Sequence, residues 1–279
     1  MSRTRIPLVG ALALLCAFGL APKLFAEGED EKPKSVELDS KLPPVTMKDR
    51  AGKALDLHDC GITKKDAEGV VMAAAKEAGV KDATAETKLA DIAGMKDEDG
   101  ELDLDAMAGF ASKIGAYFGL VATDESVKRH KTLGDLVTWI SKADKSPIVV
   151  FTWSPKCPTV RRSLDGIMEA VSMNDIRIYA IGCNTRDKDE HYDAFIEATG
   201  FPVRIFPDRE QKVTDVLGGK VTPHFFVLDG DAKLRYKGAL NDDPMGFKDA
   251  EERTDYLTDA VKAIREGKDV TTKETEPAG

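Results

Sequence analysis

The stretch from Ser146 to Arg162, S-P-I-V-V-F-T-W-S-P-K-C-P-T-V-R-R, constrains the fold more than any other part of the chain. Ile148 to Phe151 is an apolar, β-branched run, the pattern of a strand buried on both faces in a parallel sheet. It runs through Trp153, Ser154, Pro155, Lys156, Cys157 and Pro158 into an amphipathic helix pattern. This places a cysteine at a strand-to-helix junction, where first-turn N–H groups and the helix dipole favour a thiolate. Arg161, one turn further on, adds positive charge on about the same face. The plain alternative is an inert cysteine that packs as a small hydrophobe.

These residues resemble the thioredoxin superfamily. Trp153-Ser154-Pro155-Lys156-Cys157 overlays that family's Trp-Cys-Gly-Pro-Cys, with serine in place of the first, nucleophilic cysteine. A dithiol oxidoreductase needs two sulfurs to pass through a mixed disulfide and release its product; this motif has one. The same residues are similar to the peroxiredoxin pattern Thr/Ser-x-x-Cys, although Val150 stands where that pattern has proline. The resemblance implies Cys157 as the reacting sulfur, Ser154 as a hydrogen-bond donor to it and Arg161 as its cationic neighbour.

At the N-terminus, Arg3 and Arg5 precede an apolar run from Ile6 to Ala21, and Leu24-Phe25-Ala26 closes the segment. A charged start, a short apolar stretch and a small residue at the cut read as a secretory signal peptide over residues 1–26, too short for a comfortable membrane span, the alternative being an uncleaved anchor. Export, to a periplasmic or extracellular destination, would leave Cys60, Cys157 and Cys183 in an oxidising compartment with no stable membrane anchor after cleavage. The odd count leaves at least one thiol unpaired within the chain. The whole chain has 49 acidic against 40 basic residues, a net charge of −9, which argues against nucleic acid as the main partner. Residues 27–41 are charged, lack apolar periodicity and read as a flexible linker.

Leu42 to His58 reads as two short strands around a turn at Asp49 to Gly52. It resembles the N-terminal hairpin of redoxins of the alkyl hydroperoxide reductase/thiol-specific antioxidant type, which assigns 42–59 to the thioredoxin-like domain. In that family the cysteine strand follows soon after. Here residues 60–143 intervene, and their pattern is helical: Ala67 to Ala78, Leu104 to Phe118, and Thr132 to Ile140 behind a threonine cap. Three or four such helices make a small inserted bundle. Ile114 to Leu120, Asp124-Glu125 and His130-Lys131-Thr132-Leu133-Gly134-Asp135-Leu136-Val137 resemble an acyl carrier protein. Aligned on Phe118, Leu104 takes the place of the serine that carries phosphopantetheine in that family, so the resemblance does not imply an acyl carrier. Asp97, Glu98, Asp99, Glu101, Asp103 and Asp105 form a candidate docking face for a basic protein partner; the alternative is a solvated helix start.

After Cys157 the chain alternates helix and strand, giving an α/β thioredoxin-like core over 144–267 with a central mixed sheet flanked by helices. Thr159 to Met173 reads as a helix and Ile176 to Ile181 as the next strand, parallel to the first in a right-handed β-α-β unit. Cys183 then falls at the same sheet edge as Cys157 and is a candidate resolving sulfur, the alternative being two separate buried thiols. Thr222-Pro223 resembles the family's Thr-(cis-Pro) loop, which implies a substrate groove made by Trp153, Thr222 and Pro223 that pairs with bound peptide, the alternative being an ordinary trans proline at a strand start. His224 beside it is a candidate proton donor or a structural histidine. Asp187-Asp189 and Asp242-Asp243 read as loop acids, and residues 268–279 as a loose polar tail. The four scattered histidines, with no Cys-x-x-Cys and no phosphate-binding glycine pattern, suggest no metal and no cofactor.

Two functions follow. One is an exported thiol redox protein acting on peroxide or on protein thiols and disulfides through Cys157. The other is a non-catalytic thioredoxin-fold module whose groove and insertion dock partner proteins.

Overall fold

The computed structural model describes residues 34–279 except 60, 174 and 175. The segment read as a signal peptide and Cys60 lie outside the described residues.

The chain first forms a hairpin, β1 (Thr46–Lys48) and β2 (Ala54–Asp56), paired antiparallel around the expected turn. A helical region follows, with α1 (Lys64–Glu77), α2 (Leu104–Gly115), α3 (Asp124–Val127) and α4 (Leu133–Lys142). Both α1 and α4 begin with reciprocal capping boxes, Thr63 with Asp66 and Thr132 with Asp135, so the polar residues before each apolar run satisfy the first free N–H groups. Leu104, aligned above with a modified serine, opens α2 behind the cap of Asp103.

The core then alternates: β3 (Ile148–Trp153), α5 (Pro158–Arg162), α6 (Leu164–Val171), β4 (Arg177–Gly182), α7 (Asp189–Thr199), β5 (Arg204–Pro207), α8 (Lys212–Leu217), β6 (His224–Leu228), β7 (Leu234–Gly238) and α9 (Tyr256–Arg265). The helix expected over Thr159 to Met173 is broken at Ser163 into α5 and α6. The sheet order is β5-β4-β3-β6-β7, with β4 and β5 parallel to β3, and β6 and β7 joining antiparallel. This is the mixed, helix-flanked sheet of a thioredoxin-like fold, with the inserted helices expected from the sequence.

Because β3, β4 and β6 are covered on both faces, alternate side chains feed separate cores. Val149, Phe151 and Trp153 join α5, α6, α7 and α9 on one face. Ile148 and Val150 join the hairpin and α8 on the other. The inserted helices have a third core of their own.

Polar groups stitch the three parts together. Arg204 on β5 donates to Asp49 of the hairpin turn at 2.6 Å and to the carbonyl of Tyr117 at 2.7 Å. Burial raises the Asp49 carboxyl, but Arg204 and the N–H groups of Lys53 and Ala51 outweigh it and hold the pKa below the usual carboxylate range. Arg177, fully buried, donates to Phe118 O at 3.0 Å and to the Tyr179 hydroxyl at 3.1 Å. Ile178 N donates to Gly119 O at 2.7 Å.

Gly119 has φ +79°, and a Cβ there would lie 2.6 Å from the Tyr179 ring. Gly119→Ala therefore combines a left-handed backbone with a clash, and should lower stability by about 2 kcal/mol or more. Urea unfolding checks this; a loss below about 0.5 kcal/mol, the range of a neutral surface change, would show that the seam between helices and sheet tolerates a side chain.

Candidate functional site

β3 ends at Trp153, and the chain turns through Ser154–Lys156 to Cys157, the residue that caps α5 with Pro158 as its first helical position. Proline suits that position because the first N–H of a helix lacks an intrahelical partner anyway. Opposite lies the loop before β6, where the Thr222–Pro223 bond is cis. Thr152 fixes this loop to β3. Its hydroxyl donates to Val221 O at 2.5 Å and accepts from His224 N at 2.9 Å. The half-buried thiol of Cys157 reaches across and donates to Thr222 O at 3.0 Å.

Burial raises the Cys157 thiol pKa, but the polar groups of Thr222 and Thr159 and the backbone N–H groups of Val160 and Thr159 at the start of α5 outweigh it and hold the pKa below the ordinary thiol value. The site can therefore present a nucleophilic sulfur beside a backbone edge.

The other predicted site residues are distributed differently. Ser154 is buried and its hydroxyl donates to Asp187 at 2.7 Å, with Asn184 Nδ2 donating to it at 3.3 Å. Asp187, read above as a loop acid, is 2% exposed; its job is to hold Ser154 and the turn before Cys157. Arg161 donates from Nε to Pro155 O at 2.9 Å and sits 5.6 Å from the Phe195 ring centre. It braces the same turn. Trp153 lines no groove: it is fully buried against Tyr192, Phe195 and Phe201, because its position in β3 points it into the core rather than across the turn. Thr222 is half-buried and Pro223 buried beside Cys157.

Cys157 and Cys183 are both free. Cys157 packs against the core holding α5 and α6, whereas Cys183 belongs to the core on the opposite sheet face. Burial pushes the Cys183 thiol up to about 11. His224 is 2% exposed, accepts from Lys220 N at 3.3 Å and packs on Phe226. Burial lowers its pKa to about 4, so it is neutral at neutral pH and serves as a structural residue. Among the described residues no three His, Cys, Asp or Glu side chains gather as metal ligands.

Two contributors were not singled out from the sequence, Thr152 and Asp187. Thr152 carried a usable signal: a hydroxyl in a strand buried on both faces must find partners inside the protein. Asp187 carried none, since a loop acid reads as solvated until the fold buries it.

Residues 123–254 match the Redoxin family model. The matched stretch holds β3 to β7 of the thioredoxin-like fold. No curated protein matches the chain. Similar solved structures include a hypothetical protein from Sinorhizobium meliloti 1021, 18% identical over 88% of this chain and 93% of that one, with a TM-score of 0.49. The thioredoxin domain of a thiol-disulfide oxidoreductase from Bacteroides vulgatus is 13% identical over 76% and 94%, with a TM-score of 0.37. A secreted disulfide oxidoreductase of Mycobacterium tuberculosis is 17% identical over 43% and 82%, with a TM-score of 0.33.

Two predictions follow from the site geometry. Ser154→Ala should destabilise by about 1–3 kcal/mol, because it leaves a buried carboxylate without its donor. Adding Asp187→Ala to Ser154→Ala should cost less than the two separate losses combined; strict additivity in urea unfolding would show that the pair does not act as a unit. His224 gives the pH dependence. Its folded pKa of about 4 lies below the unfolded ~6.5, so the unfolded chain binds more protons between those values. The contribution is present above about pH 6.5 and is lost as pH falls through about 4, by up to ~3 kcal/mol. His224→Gln should flatten the fall in stability between pH 7 and 4.5, and an unchanged slope would assign that fall to other groups.

Proposed function

We propose that this protein is a thiol redox protein in which Cys157 is the nucleophile. The observation that carries the reading is a half-buried thiol with a lowered pKa, set beside the cis-Pro loop within a redoxin-type domain. The Cys157 thiolate attacks one sulfur of a protein disulfide, forming a mixed disulfide and releasing the other sulfur as a thiolate that takes up a proton. With a peroxide it attacks one oxygen, becomes a sulfenic acid and releases water or an alcohol. Thr222 and the N–H groups of Val160 and Thr159 stabilise the thiolate. Asp187, Ser154 and Arg161 hold the turn that positions it. Cys183 is not placed to resolve this intermediate, since it lies on the other sheet face with a raised pKa, and an external thiol can take that role.

Export follows from the N-terminal reading of Arg3, Arg5 and the apolar run to Ala21. The second reading, a non-catalytic binding module, is favoured by Ser154: its hydroxyl is committed to Asp187, so the motif position that carries a sulfur in dithiol enzymes is structural here.

Sulfenic-acid trapping after brief peroxide treatment of the pre-reduced protein, followed by peptide mass spectrometry, tests the assignment. Cys157 should be labelled about tenfold or more faster than Cys183 at pH 7, as their opposite pKa shifts require, and Cys157→Ser should abolish disulfide and peroxide reduction. Equal, slow labelling at both cysteines would leave the binding module as the function.

A further inference from the structure

The last residues of the chain make a continuous set of contacts along the sheet edge that ends at the site. β7 is an edge strand, and an open edge is a place where an extended segment adds by backbone pairing. Lys237 N donates to Lys273 O at 3.0 Å, and Thr275 N donates to Lys237 O at 3.1 Å, a parallel bridge of Lys237 with Glu274. The approach is close because residue 238 is glycine; a Cβ there would stand 2.7 Å from Thr275 O. The Thr275 hydroxyl accepts from Ala239 N at 2.9 Å and bonds the Tyr236 hydroxyl at 2.8 Å. Ion pairs flank this pairing, Lys237 with Glu274 at 3.2 Å and Lys273 with Asp39 at 2.6 Å.

Beyond Thr275 the segment continues toward the cis-Pro loop. Pro277 is buried. At Gly279 a Cβ would lie 2.7 Å from Val221 Cγ2 and 3.1 Å from Thr222 O. That carbonyl is the same one the Cys157 thiol contacts at 3.0 Å. A side chain at position 279 would thus crowd the same oxygen atom that the Cys157 thiol contacts.

We propose that residues 273–279 form a strap that occupies, in cis, the surface beside Cys157 where an extended peptide would bind. The strap sets the kind of ligand this surface takes: an extended segment with backbone donors and acceptors for β7, and small residues where it passes Val221 and Thr222. Its anchors are few. The ion pairs have exposed carboxylates, which hold weakly, and two backbone bonds, one threonine hydroxyl and the buried Pro277 supply the rest. Such a segment opens locally without unfolding the core, so an incoming partner displaces it and uncovers the thiol. The inference rests on the redox reading for its biological meaning, but its test requires no turnover.

The test uses the full chain, reduced, and measures carbamidomethylation by iodoacetamide at Cys157 and Cys183 by peptide mass spectrometry. Gly279→Val removes the space beside Val221, and Thr275→Val removes the shared hydroxyl. Either should speed labelling of Cys157 about fivefold or more while Cys183 stays unchanged, the shift expected when a mostly closed state is opened. A synthetic peptide of sequence ETEPAG added to Gly279→Val should slow Cys157 again. Labelling of Cys157 within about twofold of the parent in both variants, or a parallel rise at both cysteines, would overturn the strap. If the parent and both variants fail to reduce disulfides or peroxide while the Cys157-specific increase is present, the redox reading fails and the strap stands. If activity is present and labelling does not change, the strap fails alone.

Discussion

The geometry around Cys157 depends on one buried hydroxyl. Thr152 sits in the last stretch of β3, between apolar neighbours, and its Oγ1 bridges Val221 O and His224 N. A hydroxyl left unpaired there would cost free energy comparable to a lost hydrogen bond. The bridge therefore forces the loop before β6 to lie against the end of β3. The same strand end delivers Cys157 to the other side of that loop, so thiol and carbonyl meet at 3.0 Å. One thiol-to-carbonyl contact between two elements far apart in sequence makes the site.

The rest of the protein holds that strand end still. Trp153 anchors it by burial among aromatic rings, Asp187 through Ser154 and Arg161 through Pro155 fix the turn, and α5 begins at once at Pro158. Serine in place of a motif cysteine thus has a structural use. A buried Oγ donor satisfies one oxygen of a buried carboxylate, which a thiol would do more weakly. The inserted helices take part at one remove. They dock on the far ends of β4 and β5 through Arg177, Gly119 and Arg204, and so fix the sheet rather than touch the sulfur.

Much of this was legible before any coordinates. The β-branched run Ile148–Phe151 announces a strand buried on both faces, and the alternation after it announces an α/β sheet. Thr132 with Asp135 announces a helix start, and the turn of Asp49 to Gly52 announces a hairpin. What these share is locality: period, caps and turns are set by residues within a few positions of one another. Trp153, placed in a groove by motif overlay, lies in the core instead, because a motif does not say toward which sheet face a side chain points. The polar tail carries no apolar pattern. Its contacts include backbone bonds to β7, ion pairs and a threonine hydroxyl, which hydrophobic periodicity cannot reveal.

The sequence by itself determined the element order, the thioredoxin-like sheet and the placement of one cysteine at a strand-to-helix junction, because short-range sterics and burial periodicity dictate those. Only the tertiary structure decided which polar groups meet: Cys157 with Thr222, Ser154 with Asp187, Thr275 with Tyr236, and Cys183 apart from Cys157 on the opposite sheet face. These pairings join residues dozens of positions apart, and their partners are chosen by how the layers pack. The physical reason is that a hydrogen bond is selected by distance and angle in space, whereas a sequence records only distance along the chain.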